Sequence, residues 1–295
     1  GKRGCKSMKV LLSILKKILA VVTVLAIVCG VIVGYNVTWL NKTFITTFYS
    51  VETDKDISDL RIVELSDLHL HEYGTKNAEL VERIRNLNPN IIAVAGDMNT
   101  DENSNYSVVI DLLEQLVEIA PVYYAPGNHE WASTYSYNYS QLPSDIEATG
   151  AHYMVHNYEY VEVNGNKLMI GGFFEWPRSE FERDADKQVA VDMDAVTREQ
   201  SDVYTVLLCH CPEVFYTSMK DLSVDLGLSG HAHGGQVRLP MTDGLWSTDQ
   251  GFLPEYTSGV REIGSSTVVI SRGLGDSEPF PRIFNQPELV VIDVN

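Results

Sequence analysis

Positive charge is scarce over most of this 295-residue chain. Six of its 22 basic residues (Lys2, Arg3, Lys6, Lys9, Lys16 and Lys17) precede residue 18, so residues 36–295 carry 16 basic against 40 acidic side chains. A surface at −24 repels polyanions at long range. Binding a phosphate backbone needs Lys and Arg to neutralise it, so nucleic acid is not an expected partner. Cysteine is sparse as well. Cys5 and Cys29 lie in the N-terminal region; Cys209 and Cys211 flank His210. Two cysteines on one face of one strand are poorly placed to bridge. No disulfide framework is expected, and this pair reads as small buried hydrophobes. Internal repeats and low-complexity linkers are also missing.

Charge of either sign is absent from "ILAVVTVLAIVCGVIVGY", residues 18–35. Such a run is long enough to cross a bilayer as a helix, which takes about 18–20 residues. It shows no amphipathic face that would suit a core helix, and no Ala-x-Ala site that would suit a cleaved signal peptide. It reads as an uncleaved anchor. With the basic flank preceding it, the N-terminus is expected in the cytoplasm and the remainder outside. The expected organisation is a basic flank and transmembrane anchor over 1–35, a connection with a first strand over 36–59, and a catalytic domain over 60–295.

Past the anchor, short apolar runs alternate with amphipathic ones. "LRIVEL" (60–65), "IIAVAG" (91–96) and "VYYAPG" (122–127) read as buried strands, and residues 77–90 and 106–120 have helical spacing. This alternation points to an α/β fold with parallel pairing. The second half is richer in strands: a hairpin around Asn164-Gly165, then runs at 203–210, 224–230, 266–273 and 288–294. The segment 131–143, rich in Tyr and Ser, reads as a solvated loop or as a lid that stacks on sugar or base rings.

In open α/β sheets ligands bind beyond the carboxyl ends of the strands. Here those ends deliver "SDLH" (Asp67, His69), "GD" (Asp97), "GNHE" (Asn128, His129), His210 and "GHAHGGQ" (His231, His233). Neutral imidazole is the commonest metal ligand. Imidazole with carboxylate and without thiolate suits Mn, Fe or Zn rather than a structural thiolate zinc site. Two imidazoles one residue apart among glycines suggest a metal site whose glycines clear room for a phosphate.

These ordered motifs resemble the calcineurin-like metallophosphoesterases over residues 60–295. "GHAHGGQVRLP" and "SRGLGDSEPFPRIFNQPEL" are similar to a membrane-anchored bacterial branch that includes proteins resembling lipid-linked UDP-sugar pyrophosphatases. The resemblance implies a four-layer α/β/β/α sandwich of two mixed sheets behind one N-terminal transmembrane helix. It also implies two divalent metal ions. Asp67, His69 and His233 would hold the first; Asn128, His210 and His231 would hold the second; Asp97 would bridge both. His129 would face the substrate as the catalytic acid. A water shared by the two metals would attack in line, cleaving a phosphodiester or pyrophosphate bond of a small-molecule or lipid-linked substrate near the membrane.

Arg272 or Arg282 could add a fork for a second phosphate, or sit in a salt bridge. Where the branch carries a small residue after "SDLHL", this chain has His71 and Glu72 at the edge of the site; His71 reads as a solvated loop residue or as one that narrows the pocket. The enzymatic alternative is a protein or phosphomonoester phosphatase. The Asp-Arg-Gly usual after "GD" in protein phosphatases is replaced by "GDMNTDE". The non-enzymatic alternative is a glycan-binding module on the same scaffold; no expected ligand is lost to support it.

Overall fold

The computed structural model describes residues 2–100, 106–135, 140–174, 180–239, 241–277 and 280–295. It opens with helix α1 (Lys2–Thr38), which contains the whole uncharged run. That run alone spans about 27 Å at 1.5 Å per residue, close to the hydrocarbon thickness of a bilayer. From Ile18 to Val31 its side chains are exposed on all sides. A helix apolar all round is stable only where something apolar surrounds it. Among the described residues, α1 is the one helix long and apolar enough to cross a membrane.

The described residues then form fourteen strands: β1 (Ile45–Val51), β2 (Leu60–Leu65), β3 (Ile91–Ala95), β4 (Val122–Ala125), β5 (His152–Tyr153), β6 (Asn157–Val163), β7 (Asn166–Gly172), β8 (Tyr204–Leu208), β9 (Leu226–Ser229), β10 (Trp246–Ser247), β11 (Gly251–Phe252), β12 (Gly259–Ile263), β13 (Ser266–Ile270) and β14 (Glu288–Val294). The first six-stranded sheet has the order β1-β14-β2-β3-β4-β5, and the second β12-β13-β9-β8-β7-β6. β2 to β5 pair in parallel, as expected from their alternation with α2 (Ala78–Leu87) and α3 (Ser107–Leu116). β14 returns from the second half to lie antiparallel beside β2, and β1 runs parallel beside β14. Both sheets are therefore mixed.

The layers follow from the two-residue period of the strands. In β2, Val63 and Leu65 face α2 and α3, packing with Leu80, Ile84, Val109 and Leu112. Leu60 and Ile62 face the other way, meeting Ile170, Val206 and Leu228 of the second sheet. That sheet's outer residues, Met169, Leu207 and Val268, pack on Val189, Met193 and Val196 of one long helix. The result is the expected α/β/β/α sandwich. Strands buried on both faces read as continuous apolar runs, which made β3, β8 and β14 legible. The hairpin β6–β7 turns at Asn164 and Gly165, both at positive φ, as a two-residue turn of that sequence favours.

Three helices complete the described set before the short α7 (Glu213–Tyr216): α4 (Asn128–Tyr135), α5 (Leu142–Ala148) and α6 (Glu180–Glu199). Neither α4 nor α6 stands among the sequence expectations. The apolar stripe of α6 is thin among its charged residues, and α4 has no clear apolar stripe. Residues 136–139 of the Tyr-rich segment lie outside the described residues; 131–135 belong to α4.

Candidate metal centre

Strands β8 and β9 stop two residues short of His210 and His231, and β2 and β3 stop two short of Asp67 and Asp97. Those two-residue extensions turn sharply. Asp67, His69, Asp97, His231 and His233 all have φ between 46° and 67°, a region that costs a non-glycine residue energy and concentrates at functional sites. The turns aim the side chains of both sheets into one volume. Asp67, Asp97 and His210 are buried outright, and His69, His231 and His233 expose 7% or less.

Neighbouring glycines make this crowding possible. A Cβ at Gly230 would strike the Asp67 carboxylate, and one at Gly127 would strike that of Asp97. Gly234 and Gly235 are filled on their Cβ side by Asn285 and by the backbone of Gly244. The glycines of "GHAHGGQ" thus make room for the chain's own groups, and the expectation that they clear space for a phosphate is corrected accordingly.

Within the volume, single N or O atoms of Asp67, His69 and His233 lie within 4.8 Å of one another, as do those of Asp97, His210 and His231 and those of His69, Asp97 and His129. His69 Nε2 faces His233 Nε2 at 3.3 Å, and Asp67 Oδ1 is 3.7 Å from His233 Nε2. Asp97 Oδ2 is 3.0 Å from His210 Nε2 and 3.8 Å from His129 Nε2. The His129 backbone N–H donates to Asp97 Oδ1 at 2.9 Å. Asn128 Oδ1 is buried and accepts no hydrogen bond among the described residues. Seven of the eight expected residues meet in these groups, and Asn128 precedes His129 at the start of α4.

The electrostatics suit a cation. Burial lowers His69 to about 3 and takes His233 well below its ordinary value, with Arg282 adding to the latter. Both shifts favour the neutral ring, the form that can ligate. Burial raises the Asp67 carboxyl, partly offset by His210. Burial would raise Asp97 too, but His210, then His129 and His69, outweigh it and hold that carboxyl below its usual range. Two buried carboxylates, facing imidazole nitrogens and an amide oxygen without a hydrogen-bond donor form the donor set that Mn, Fe or Zn would take.

Several supporting residues escaped the sequence reading. Glu130, next in "GNHE", is buried and clamps the "GD" turn: it accepts from the N–H groups of Asp97, Met98 and Gly127 at 2.8 Å and from the Tyr124 hydroxyl at 2.8 Å. Burial, then the Asp97 charge, raises its carboxyl, and those donors pull it back. Asp249, in the turn between β10 and β11, accepts from His231 Nε2 at 2.6 Å; the bond to His231 holds its carboxyl below the usual range. Asn285 Nδ2 donates to the His233 carbonyl at 2.6 Å. The motif letters of "GNHE" could have flagged Glu130; nothing in the sequence links 249 or 285 to the histidines.

Neither arginine forms the phosphate fork considered above. Arg282 is fully buried behind His233, bonded to its Nδ1 at 3.0 Å and to the Gly275 carbonyl. Arg272 is paired with the buried Glu288 at 3.2 Å. His71 packs edge-on against Tyr73 at 4.6 Å, and Glu72 accepts from the Lys76 N–H.

A family model described as calcineurin-like phosphoesterase matches residues 60–235. The chain is 27% identical over 237 residues to the uncharacterized metallophosphoesterase YkuE of Bacillus subtilis, covering 78% of this chain and 77% of that one. It is 26% identical over 251 residues to an uncharacterized metallophosphoesterase of Aquifex aeolicus, covering 83% and 90%. Among solved structures, a dimetal phosphatase from Danio rerio aligns with a TM-score of 0.45 and 11% identity, over 76% of this chain and 90% of that one. A 5'-nucleotidase precursor from Thermus thermophilus aligns with a TM-score of 0.45 and 17% identity, over 74% and 50%.

Proposed function

Since the chain belongs to the calcineurin-like phosphoesterases, metallophosphoesterases built around a dinuclear divalent metal centre, we propose that it hydrolyses phosphodiester or pyrophosphate bonds of a substrate at or near a membrane. Asp67, His69 and His233 would hold one ion, Asn128, His210 and His231 would hold the other, and Asp97 would serve both. The observation that carries this reading is the double membership of Asp97, which clusters with His69 and His129 on one side and with His210 and His231 on the other. When bound, the ions, as Mn, Fe or Zn, supply Lewis-acid neutralisation of the phosphoryl oxygens and a water of lowered pKa.

The protein's own groups do the rest. The neutral, buried imidazoles keep their lone pairs available for the ions. Asp249 accepts a hydrogen bond from His231 Nε2–H and so leaves Nδ1 as the unprotonated nitrogen, the arrangement in which an outer carboxylate fixes the tautomer of a ligating histidine. His129 is half-buried, with its backbone tied to Asp97. Its ring donates a proton or a hydrogen bond to the departing oxygen. In this reading residues 1–35 are a basic flank and anchor with the N-terminus in the cytoplasm. Residues 36–59 connect, contributing β1 to the first sheet, and residues 60–295 form the catalytic unit outside the membrane.

A panel of alkyl phosphodiesters, nucleoside pyrophosphates, phosphomonoesters and phosphopeptides, each with Mn, Fe and Zn, tests the reaction. Diester or pyrophosphate cleavage is expected to lead with at least one metal. Turnover confined to monoesters or phosphopeptides would replace this reading with a phosphatase. Glycan binding that survives complete metal removal, without turnover, would replace it with a binding module. Protease added to intact cells should cut the catalytic unit and leave the N-terminal peptide protected; the reverse pattern would invert the topology.

A further inference from the structure

Exposed large apolar side chains are scattered over the catalytic unit except in one place. Leu239 and Met241 lie on one loop, Trp246, Phe252 and Leu253 on the β10–β11 ribbon, and Phe284 on the segment before β14; all are exposed, Phe252 at 70%. Trp246 and Phe252 are cross-strand partners, so they share one face of the ribbon; Ser247, paired with Gly251 on the other face, is buried. The exposed face is therefore apolar by construction rather than through loose packing.

These pieces form one hydrogen-bonded unit. Val237 bridges Ile283, the Arg238 N–H donates to the Ile283 carbonyl at 3.0 Å, and the Leu245 N–H donates to Gly235 at 2.9 Å. The unit is tied to the end of α1. The Phe284 N–H donates to Asn36 Oδ1 at 2.8 Å, Asn41 Nδ2 to the Arg282 carbonyl at 3.2 Å, and Gln286 Nε2 to Thr43 Oγ1 at 2.8 Å. Trp39, exposed at the end of the same helix, occupies the level where aromatic residues collect at membrane surfaces.

An apolar patch of this kind on a water-soluble surface marks an interaction site, and its attachment says what covers it. A unit bonded to the chain within a few residues of the helix end cannot lie far from the boundary of any bilayer that α1 crosses. We propose that the face carrying Trp246, Phe252, Leu253, Met241 and Phe284 seats in the headgroup–acyl boundary of that bilayer. The inference rests on the reading of α1 as a membrane span and deepens the proposal of a membrane-proximal substrate. The contact is apolar insertion; the net negative charge of residues 36–295 offers no attraction to anionic lipid. The same unit touches the candidate metal centre from behind the patch, through Asp249 on His231 and Arg282 on His233. Seating it holds the centre beside the bilayer, where a phosphoester with an acyl tail could be cleaved without leaving the membrane.

The test uses the full chain with Cys5 and Cys29 replaced by Ala, reconstituted in phosphatidylcholine vesicles. Nitroxide labels are placed singly by Val24→Cys, Phe252→Cys, Leu253→Cys and Tyr160→Cys, the last on the exposed outer strand β6. Relaxation by oxygen and by a water-soluble nickel chelate is then compared. Labels at 24, 252 and 253 are expected to lose nickel relaxation relative to 160 and to gain oxygen relaxation. Nickel relaxation at 252 and 253 equal to that at 160, with 24 in lipid, overturns the seat and leaves the anchor standing. Nickel relaxation at 24 removes the anchor and the seat with it. Shielding of 252 from both reagents, with dipolar broadening between labels, gives the patch to a second copy of the chain and also overturns the proposal.

Discussion

Asp97 and His233 are both buried and both sit near φ +50°, yet the chain secures them differently. The turn at Asp97 is held by a single buried carboxylate. Glu130, 33 residues on and two beyond Asn128, gathers the backbone N–H groups of Asp97, Met98 and Gly127. The turn at His231–His233 is held by three side chains from separate late loops, Asp249, Arg282 and Asn285, which are 18, 49 and 52 residues away from their partners. One half of the centre is a self-contained clamp inside the first sheet's crossover. The other half is only as firm as the late loops that also carry the exposed apolar face. Strain at the "GD" turn is thus balanced by a buried charge, and strain at "GHAH" by contacts that a membrane could steady.

The clamped half should therefore show the larger effects. His129 is half-buried there and tied to Asp97 through its backbone N–H, which its replacement by Ala keeps, so loss of the ring should touch chemistry more than structure. His129→Ala is expected to keep its metal and to slow hydrolysis of an alkyl phosphodiester by about 10²–10⁴-fold, the usual range for a general acid. A nitrophenyl diester, whose leaving group needs no proton, should lose far less. Equal losses on the two substrates, measured with metal content intact, would remove the acid role.

Glu130→Gln should come next. An amide leaves one oxygen for the donors and turns an NH₂ toward backbone N–H groups. Breaking such a buried, charge-assisted network costs about 3 kcal/mol. Urea unfolding of the variant should show that drop, and a change near zero would mean the clamp does not stabilise the turn. Asp249→Asn is expected to be milder: about 10-fold weaker metal binding, at the low end for residues behind a ligand, with little change in unfolding. Titration of metal into the apo-protein checks it. A loss larger than that of Glu130→Gln would reverse the ranking of the two halves.

The same asymmetry explains what the sequence disclosed. Asp67, His69, Asp97, Asn128, His129, His210, His231 and His233 were legible because each follows a buried strand that reads as an unbroken apolar run, and the structure brings the Asp and His side chains together. The α/β alternation was legible for the same reason, whereas the four layers were implied by the resemblance to the calcineurin-like metallophosphoesterases. Glu130 lay inside a motif already marked, but the need for it appears only when three N–H groups of a tight turn are seen to lack other partners. Asp249, Arg282 and Asn285 left no local signature, since loops far apart in sequence meet only after the sheets have packed. Arg282 misled in a simple way: a guanidinium near a presumed phosphate site suggests a fork, yet burial behind His233 makes it a prop. The apolar ribbon face also went unnoticed, because two-residue strands give no period to read.

In the proposed centre Asp97 serves two ions at once. Elemental analysis of the full chain after apo-preparation and reconstitution with Mn, Fe or Zn, run in parallel on Asp97→Ala, tests it directly. Two metal ions per chain are expected for at least one metal, with depletion of both in the variant. A stoichiometry that never exceeds one under any metal, or an Asp97→Ala protein that loses one ion and keeps the other at full affinity, would contradict it.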